Sequence, residues 1–204
     1  MKLYYAPGAC SLSPHIVMLE AGLTAVYEKV DLSTHKTAAG IDYTTINSKG
    51  SVPALQLDNG SLLTEGPAIV QYLADRNPDS GLAPRAGTFE RYQLMELLNY
   101  ITSELHKSYG PLFNPKISAD WKASILANLD KKFEWLSRFL EGKTYLMGAA
   151  FTVADAYLFT VLRWSGRVGV DLAKWPALAA YCARVEQRPK VQQALKDEGL
   201  LKSH

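Results

Sequence analysis

Cys10 stands in Pro7-Gly8-Ala9-Cys10-Ser11, a turn placed immediately ahead of an apolar helical pattern. A thiol at a helix start faces unpaired backbone N–H groups and the positive end of the helix dipole, and both favour the thiolate. Positions of this kind bring a cysteine pKa from about 8.5 into the range of roughly 3.5–7.5. Ser11 is placed to cap the helix or to donate to the sulfur. Packing alone would also account for a small residue in a turn. Position 13 is serine, so there is no Cys-x-x-Cys and no dithiol cycle within the motif. The second cysteine, Cys182, lies in a helical stretch with no basic neighbour at capping distance and reads as core packing. The four histidines (His15, His35, His106 and His204) are scattered without metal-ligand spacing, so no metal site is expected.

Two further segments carry polar groups fit for a ligand. In Gly50-Ser51-Val52-Pro53 the residue before proline is held extended, so Val52 can offer its N–H and C=O to an extended, peptide-like molecule; a plain edge strand is the alternative. In Thr64-Glu65-Gly66-Pro67 a carboxylate precedes a helix N-terminus, where backbone N–H groups would hold a ligand carboxylate and Glu65 would receive an ammonium. Along the stretch Thr88–Tyr109, Leu94, Leu98, Ile101 and Leu105 form an apolar stripe at helical spacing. A second stripe of Tyr92, Met95, Asn99, Ser103, His106 and Gly110 carries no charged residue, which suits a cleft or a subunit contact better than bulk water.

The elements that must position these groups are legible. Lys2–Tyr5 reads as a strand, Ser11–Ala21 as a helix ending at Gly22, and Tyr27–Leu32 as a second strand. A weak helix or irregular piece around Ala38–Ile46 follows. Residues 52–57 and 62–64 form a hairpin through Asp58-Asn59-Gly60, and Gly66-Pro67 opens a helix to Arg76. The order β-α-β then β-β-α implies a small mixed sheet covered by helices. Residues 78–87 hold two prolines and two glycines and read as a linker. Beyond it only helical patterns appear: Thr88–Tyr109, Ser118–Leu140, Thr152–Val168, Trp175–Arg188 and Val191–Glu198. The third of these begins with Thr152-Val153-Ala154-Asp155, a capping box with Asp in place of Glu, and is apolar nearly all round, as a buried central helix would be. Domains are therefore expected at 1–77 (α/β) and 88–204 (all-α), joined by 78–87.

Composition bounds the function. The 204 residues are 48% hydrophobic and 21% charged with a net charge of +2, which argues against a nucleic-acid footprint. No apolar run suits a signal peptide or a membrane span, and two cysteines make no disulfide scaffold, so a cytoplasmic protein with no membrane partner is expected.

In combination, MKLYYAPGACSLSPHI, GSVPALQLDNGSLLTEGPAIVQYLA, LNYITSELHK and TVADAYLFTVLRW resemble bacterial beta-class glutathione S-transferases over essentially the whole chain. The resemblance implies a thioredoxin-like N-terminal domain, a C-terminal helical bundle, a homodimer, and glutathione as co-substrate rather than a prosthetic group. It implies that Cys10 contacts or bonds the glutathione sulfur, with His106 as a second stabilising donor. Val52, ahead of a cis Pro53, would pair with the glutathione backbone, and Glu65 and Gly66 would hold its γ-glutamyl end. Asn99, Ser103 and Glu104 match the class pattern, some of them reaching a site across the dimer. Ser11 and Tyr5 are secondary candidates, Tyr5 because other classes keep a catalytic hydroxyl in that region. Tyr109, Phe113 and Trp164 are candidates for the wall of a site for a small hydrophobic electrophile.

Two departures from the class pattern are His35, often Lys in relatives, which makes a contact to the glycyl carboxylate pH-dependent, and Asn47-Ser48, usually Asn-Pro. The expected activity is conjugation of glutathione. The alternatives are a glutathione-dependent thiol reductase or reductive dehalogenase working through a Cys10 mixed disulfide, and a non-catalytic ligand-binding protein.

Overall fold

The computed structural model describes residues 1–201, so His204 lies outside the described residues. In chain order the elements are β1 (Lys2–Tyr5), α1 (Leu12–Glu20), β2 (Val26–Asp31), β3 (Lys36–Thr37), β4 (Ala54–Gln56), β5 (Leu62–Thr64) and α2 (Gly66–Arg76). Then come α3 (Phe89–Tyr100), a π-helical segment (Ile101–His106), α4 (Lys107–Tyr109), α5 (Ala119–Phe139), α6 (Val153–Leu162), α7 (Ser165–Val168), α8 (Pro176–Glu186) and α9 (Pro189–Asp197).

The chain divides into two compact units, one of residues 1–83 with 188 onward, the other of residues 84–187. The break near residue 83 falls inside the expected linker. The C-terminus departs from the expectation of an all-helical second half, because α9 belongs to the first unit. Its reason is a set of polar anchors: Arg188 Nε donates to Glu20 Oε1 on α1 at 2.7 Å, and Glu198 Oε1 lies 3.0 Å from His15 Nδ1. Both Glu198 and His15 are buried, so the pair is shielded from water.

In the first unit five strands run in the order β3-β2-β1-β4-β5, with β1 and β2 parallel and every other pair antiparallel. This is the mixed sheet the element order implies. The irregular piece around residues 38–46 resolves into the short β3 and a 3-10 turn at Tyr43–Thr45. Helix α1 ends as Gly22 predicts: this glycine has φ +66°, and the Leu23 N–H reaches back to the Met18 carbonyl.

In the second unit α6 is the centre, with every residue from Val153 to Leu162 buried. The Asp155 carboxylate reaches back to the Thr152 N–H at 2.8 Å, as the capping pattern expects. Two helices read as continuous are interrupted. The stretch Thr152–Val168 breaks between α6 and α7, and Thr88–Tyr109 loses α-helical register from Ile101 to His106. There the Lys107 N–H bonds the Thr102 carbonyl, five residues back rather than four. No helix among the described residues is long and apolar enough to cross a membrane.

Candidate functional site

Strand register gathers the first unit's polar groups. Tyr4 pairs with Ala54, and Ala54 with Thr64, both antiparallel. The end of β1, the start of β4 and the end of β5 therefore lie side by side at one end of the sheet. The segments attached there are the Cys10 turn, Val52-Pro53 and Glu65-Gly66. The Val52–Pro53 bond is cis. Cys10 Sγ donates to the Val52 carbonyl at 3.2 Å, and no group among the described residues accepts the Val52 N–H. An added Cβ at Gly66 would stand 3.9 Å from the Pro53 ring, which places the start of α2 against the same loop.

The thiol is not in the state its helix-start position suggests. Burial pushes the Cys10 pKa up to about 11; the N–H groups of Cys10 and Ser11 pull it down, and the Glu65 carboxylate pushes it further up. Desolvation of the anion outweighs the helix-end N–H groups. The group is a neutral thiol that donates a hydrogen bond. Ser11 neither caps α1 nor reaches the sulfur: its hydroxyl donates to the Ala6 carbonyl and accepts from the Ala6 N–H. It holds the turn closed from within.

Glu65 departs from ordinary backbone geometry. It precedes α2 with φ +70° and ψ 112°, and among the described residues only it and His35 combine positive φ with a side chain. Such a conformation costs about 1–3 kcal/mol and concentrates at functional sites. Its exposed carboxylate meets Lys49 Nζ at 2.7 Å. Glu65→Gly is therefore expected to raise the unfolding free energy by about 1 kcal/mol while weakening glutathione binding, whereas Glu65→Ala weakens binding with no gain in stability. Urea denaturation and calorimetric titration measure the two effects, and equal stability of the glycine and alanine variants would contradict the strain.

Three residues not foreseen support the loop before Val52. The Tyr43 hydroxyl and Asn47 Nδ2 both donate to the Ser51 carbonyl, at 2.9 and 2.8 Å, while Lys49 bridges to Thr64 and Glu65. The Asn47-Ser48-Lys49-Gly50 turn signal was readable; its partners were not. His35 lies over the same loop, since a Cβ at Gly50 would stand 3.0 Å from its ring. Tyr5, by contrast, turns away. Successive strand residues face opposite sides, and its ring meets His15 and Tyr27 edge-on, whereas Tyr4 packs with Tyr43 and Val52. Its phenol pKa is raised, first by burial and then by Glu198 and Asp197.

In the second unit the π-helical segment presents His106. Its Nδ1 lies 2.6 Å from the Tyr157 hydroxyl, and its ring meets Trp164 edge-on with centroids 4.8 Å apart. Burial, and then the charge of Lys107, lowers the imidazole pKa to about 4, so the ring is neutral at physiological pH. A Tyr157 hydroxyl donating to Nδ1 leaves the proton on Nε2, which makes Nε2–H a donor. Asn99 and Ser103 are exposed on the uncharged stripe with Tyr92 and Met95. Glu104 is engaged with Lys132 Nζ at 3.0 Å.

The three residues expected to form an electrophile wall do cluster, with Tyr109 and Phe113 each 5.7 Å from Trp164. Tyr109, however, is fully buried and shares a 2.6 Å hydrogen bond with Ser165, so it is core; Phe113, 44% exposed, is the one open to solvent. A cavity of about 390 Å³ in this unit is lined by Leu97, Tyr100, Trp135, Phe139 and Met147 among others, and includes none of the expected site residues. Among the described residues no group of three or more His, Cys, Asp or Glu could hold a metal.

The chain matches two family models, "Glutathione S-transferase, N-terminal domain" over residues 8–76 and "Glutathione S-transferase, C-terminal domain" over residues 119–184. It is 47% identical to glutathione S-transferase GstA of Escherichia coli O157:H7 over 200 residues, covering 98% of this chain and all of that one. Two solved structures, a sphingomonad glutathione S-transferase complexed with glutathione and a bacterial beta-class enzyme of Sphingomonas chungbukensis, are each 48% identical. Each superposes with a TM-score of 0.95 and covers 98% of this chain and all of its own.

Proposed function

Because the chain belongs to the glutathione S-transferase family, in its bacterial beta-class branch, we propose that the sheet end carrying Cys10, Val52 and Glu65 binds glutathione and readies its sulfur for attack on a small hydrophobic electrophile. One observation carries this reading: β1, β4 and β5 bring a thiol donor, an extended backbone N–H and a carboxylate to one place. A γ-glutamyl tripeptide has the matching groups, namely a thiol, a peptide backbone and an ammonium. The sphingomonad relative, 48% identical, holds glutathione.

In this reading Val52 N–H pairs with the peptide backbone and Glu65 receives the γ-glutamyl ammonium. The N–H groups at the start of α2 face the neighbouring carboxylate, and Gly66 lets the ligand approach closely. His35 is proposed as a contact to the glycyl carboxylate. The Cys10 thiol is proposed as a neutral donor to the glutathione sulfur, and the His106 Nε2–H, in the helical unit, as a second neutral donor in the reaction. Such donors strengthen as the sulfur becomes anionic, lower its pKa, and supply a thiolate that attacks while the electrophile's leaving group departs. Phe113 and Trp164 are proposed for the electrophile wall.

The uncharged stripe of α3, with Phe89, Tyr92 and Met95 exposed, is proposed as the contact face of a homodimer, with Asn99, Ser103 and Glu104 serving a partner's glutathione. A cytoplasmic setting is proposed from the free thiols.

The second reading, a reductase in which Cys10 attacks oxidised glutathione and releases one glutathione, is favoured by the single thiol at the site. It needs a thiolate, and burial opposes one. Both readings meet one test. In the free enzyme, alkylation of Cys10 by iodoacetamide is expected to stay slow through pH 8, with its midpoint near 11. Cys10→Ala is expected to retain conjugation of a chloro-nitroaromatic at a reduced rate. A midpoint below 7, together with a glutathione adduct on Cys10 by mass spectrometry, would favour the reductase instead. Failure to bind immobilised glutathione would remove both.

A further inference from the structure

The change of register between α3 and α4 has a visible partner. Where backbone bonding returns from five residues back to four, one carbonyl is skipped and loses its place in the ladder. At this junction the Glu104 carbonyl takes two side-chain donors. The Ser108 hydroxyl donates to it at 2.7 Å, and Lys132 Nζ, from the middle of α5, donates at 2.6 Å. The same ammonium reaches the Glu104 carboxylate at 3.0 Å and Ser108 Oγ at 3.2 Å.

Lys132 is mostly covered, its side chain only 14% exposed, so it is not a surface lysine that happens to lie near an acid. A carbonyl oxygen has two lone pairs, so it can accept from both donors at once. Charge assistance makes the lysine the stronger of the two.

We propose that Lys132 is a positioning residue for the transferase reaction: its ammonium holds the π-helical register of Ile101–His106 and thereby sets the direction in which His106, Ser103 and Glu104 point. Reversion to α-helical register removes one residue from a turn and rotates the residues beyond it by about 100°, one residue's share of a 3.6-residue turn. His106 then swings away from the Tyr157 hydroxyl, which lies 2.6 Å from its Nδ1, and from the Trp164 ring edge. The uncharged stripe is aligned by plain α-helical spacing, so the change of register turns His106 off the line it shares in sequence with Asn99. The inference rests on the role proposed above for His106.

The test uses the full-length enzyme with Lys132→Met, which keeps the length of the side chain and removes its donors, and Lys132→Arg, which keeps them. Lys132→Met is expected to lower kcat/KM for conjugation about tenfold or more, since ångström-scale misplacement of a working group costs up to about 100-fold. Lys132→Arg is expected to recover most of the loss. In a double-mutant cycle with His106→Ala, the methionine change is expected to add little to the loss already caused by alanine. Full activity of Lys132→Met, or losses that simply multiply in the cycle, would overturn the proposal.

A crystal structure of Lys132→Met decides the register directly and covers a variant that is poorly active for lack of stability. Return of the Lys107 N–H to the Ser103 carbonyl is the expected result. A retained bond to Thr102 overturns the proposal whatever the activities. If His106→Ala itself leaves conjugation intact, the role of His106 fails, and the register seen in that crystal structure still judges Lys132.

Discussion

Replacing Asp155 by alanine is expected to lower the unfolding free energy by about 4 kcal/mol or more. The carboxylate is fully buried at the start of α6. One oxygen accepts the Leu146 N–H at 2.8 Å and the Tyr181 hydroxyl at 2.9 Å. The other accepts the Thr152 N–H at 2.8 Å and the Thr152 hydroxyl at 2.9 Å. A single side chain thus ties the loop before α6, the first turn of α6 and the core of α8. Truncation leaves these buried donors without an acceptor, each costing about 1–3 kcal/mol when water cannot replace it.

Thr152→Ala removes only one of the four donors and is expected to cost about 1 kcal/mol. Asp155→Asn keeps the volume but turns an NH2 group toward N–H and O–H donors, so it should fall between the two and close to alanine. Equilibrium unfolding in urea followed by tryptophan fluorescence measures all three. An alanine variant within 1 kcal/mol of the parent would show that the network contributes little.

The same residue shows what sequence reasoning reaches. Thr152-Val153-Ala154-Asp155 announces a helix start through local chemistry, and the Thr152 half of the network follows from it. The Leu146 and Tyr181 half depends on which distant segments pack there, and no local signal carries that. The pattern repeats across the molecule. The β-α-β and β-β-α order and the Asp58-Asn59-Gly60 turn made the sheet legible, because alternation and turn residues are local. The hairpin places Val52 beside Glu65 for the same reason, whereas Cys10 joins them through the long-range pairing of β1 with β4.

What escaped was decided by long-range contacts. Helix α9 is amphipathic in any setting, and what assigns it to the first unit is long-range: its buried Val191, Ala194 and Leu195, the pairs Arg188–Glu20 and Glu198–His15, and the Gly8 N–H on Glu198. The π-helical segment has unremarkable helical periodicity in sequence, because its cause lies on α5. The Cys10 thiol was read from its helix-start position, but its state is set by how deeply the turn is buried and by the Val52 carbonyl beside it. Positive φ at Glu65 has no signature in the residue type, which would ordinarily argue against it.

His106 is expected to make the enzyme lose stability in mild acid through a single proton. Burial first, and then Lys107, lowers its pKa from 6.5 to about 4. The folded state therefore binds fewer protons than the unfolded chain between these values, and stability falls as the pH is lowered. The contribution is complete above pH 6.5 and is lost as the pH drops through about 4. Its full size is at most about 3 kcal/mol, and partial solvation of the ring brings the expected value nearer 2 kcal/mol. Protonation would also take up the lone pair on Nδ1 that faces the Tyr157 hydroxyl, so the 2.6 Å contact would have to reorganise.

His106→Asn removes the titrating group, and its unfolding free energy is expected to fall by about 2 kcal/mol less than the parent's between pH 7 and pH 4. The catalytic consequence follows from the same proton. A neutral donor through the working range gives a kcat/KM profile with no inflection at 6.5 from this residue. Tyr157→Phe, which removes the hydroxyl beside Nδ1 and so frees the tautomer, is expected to lower kcat severalfold with KM for glutathione nearly unchanged. Nuclear magnetic resonance of the imidazole ring across pH 3.5–8 measures the titration directly. A midpoint near 6.5 would show a solvated histidine, and both the acid destabilisation and the flat activity profile would then have to come from other groups.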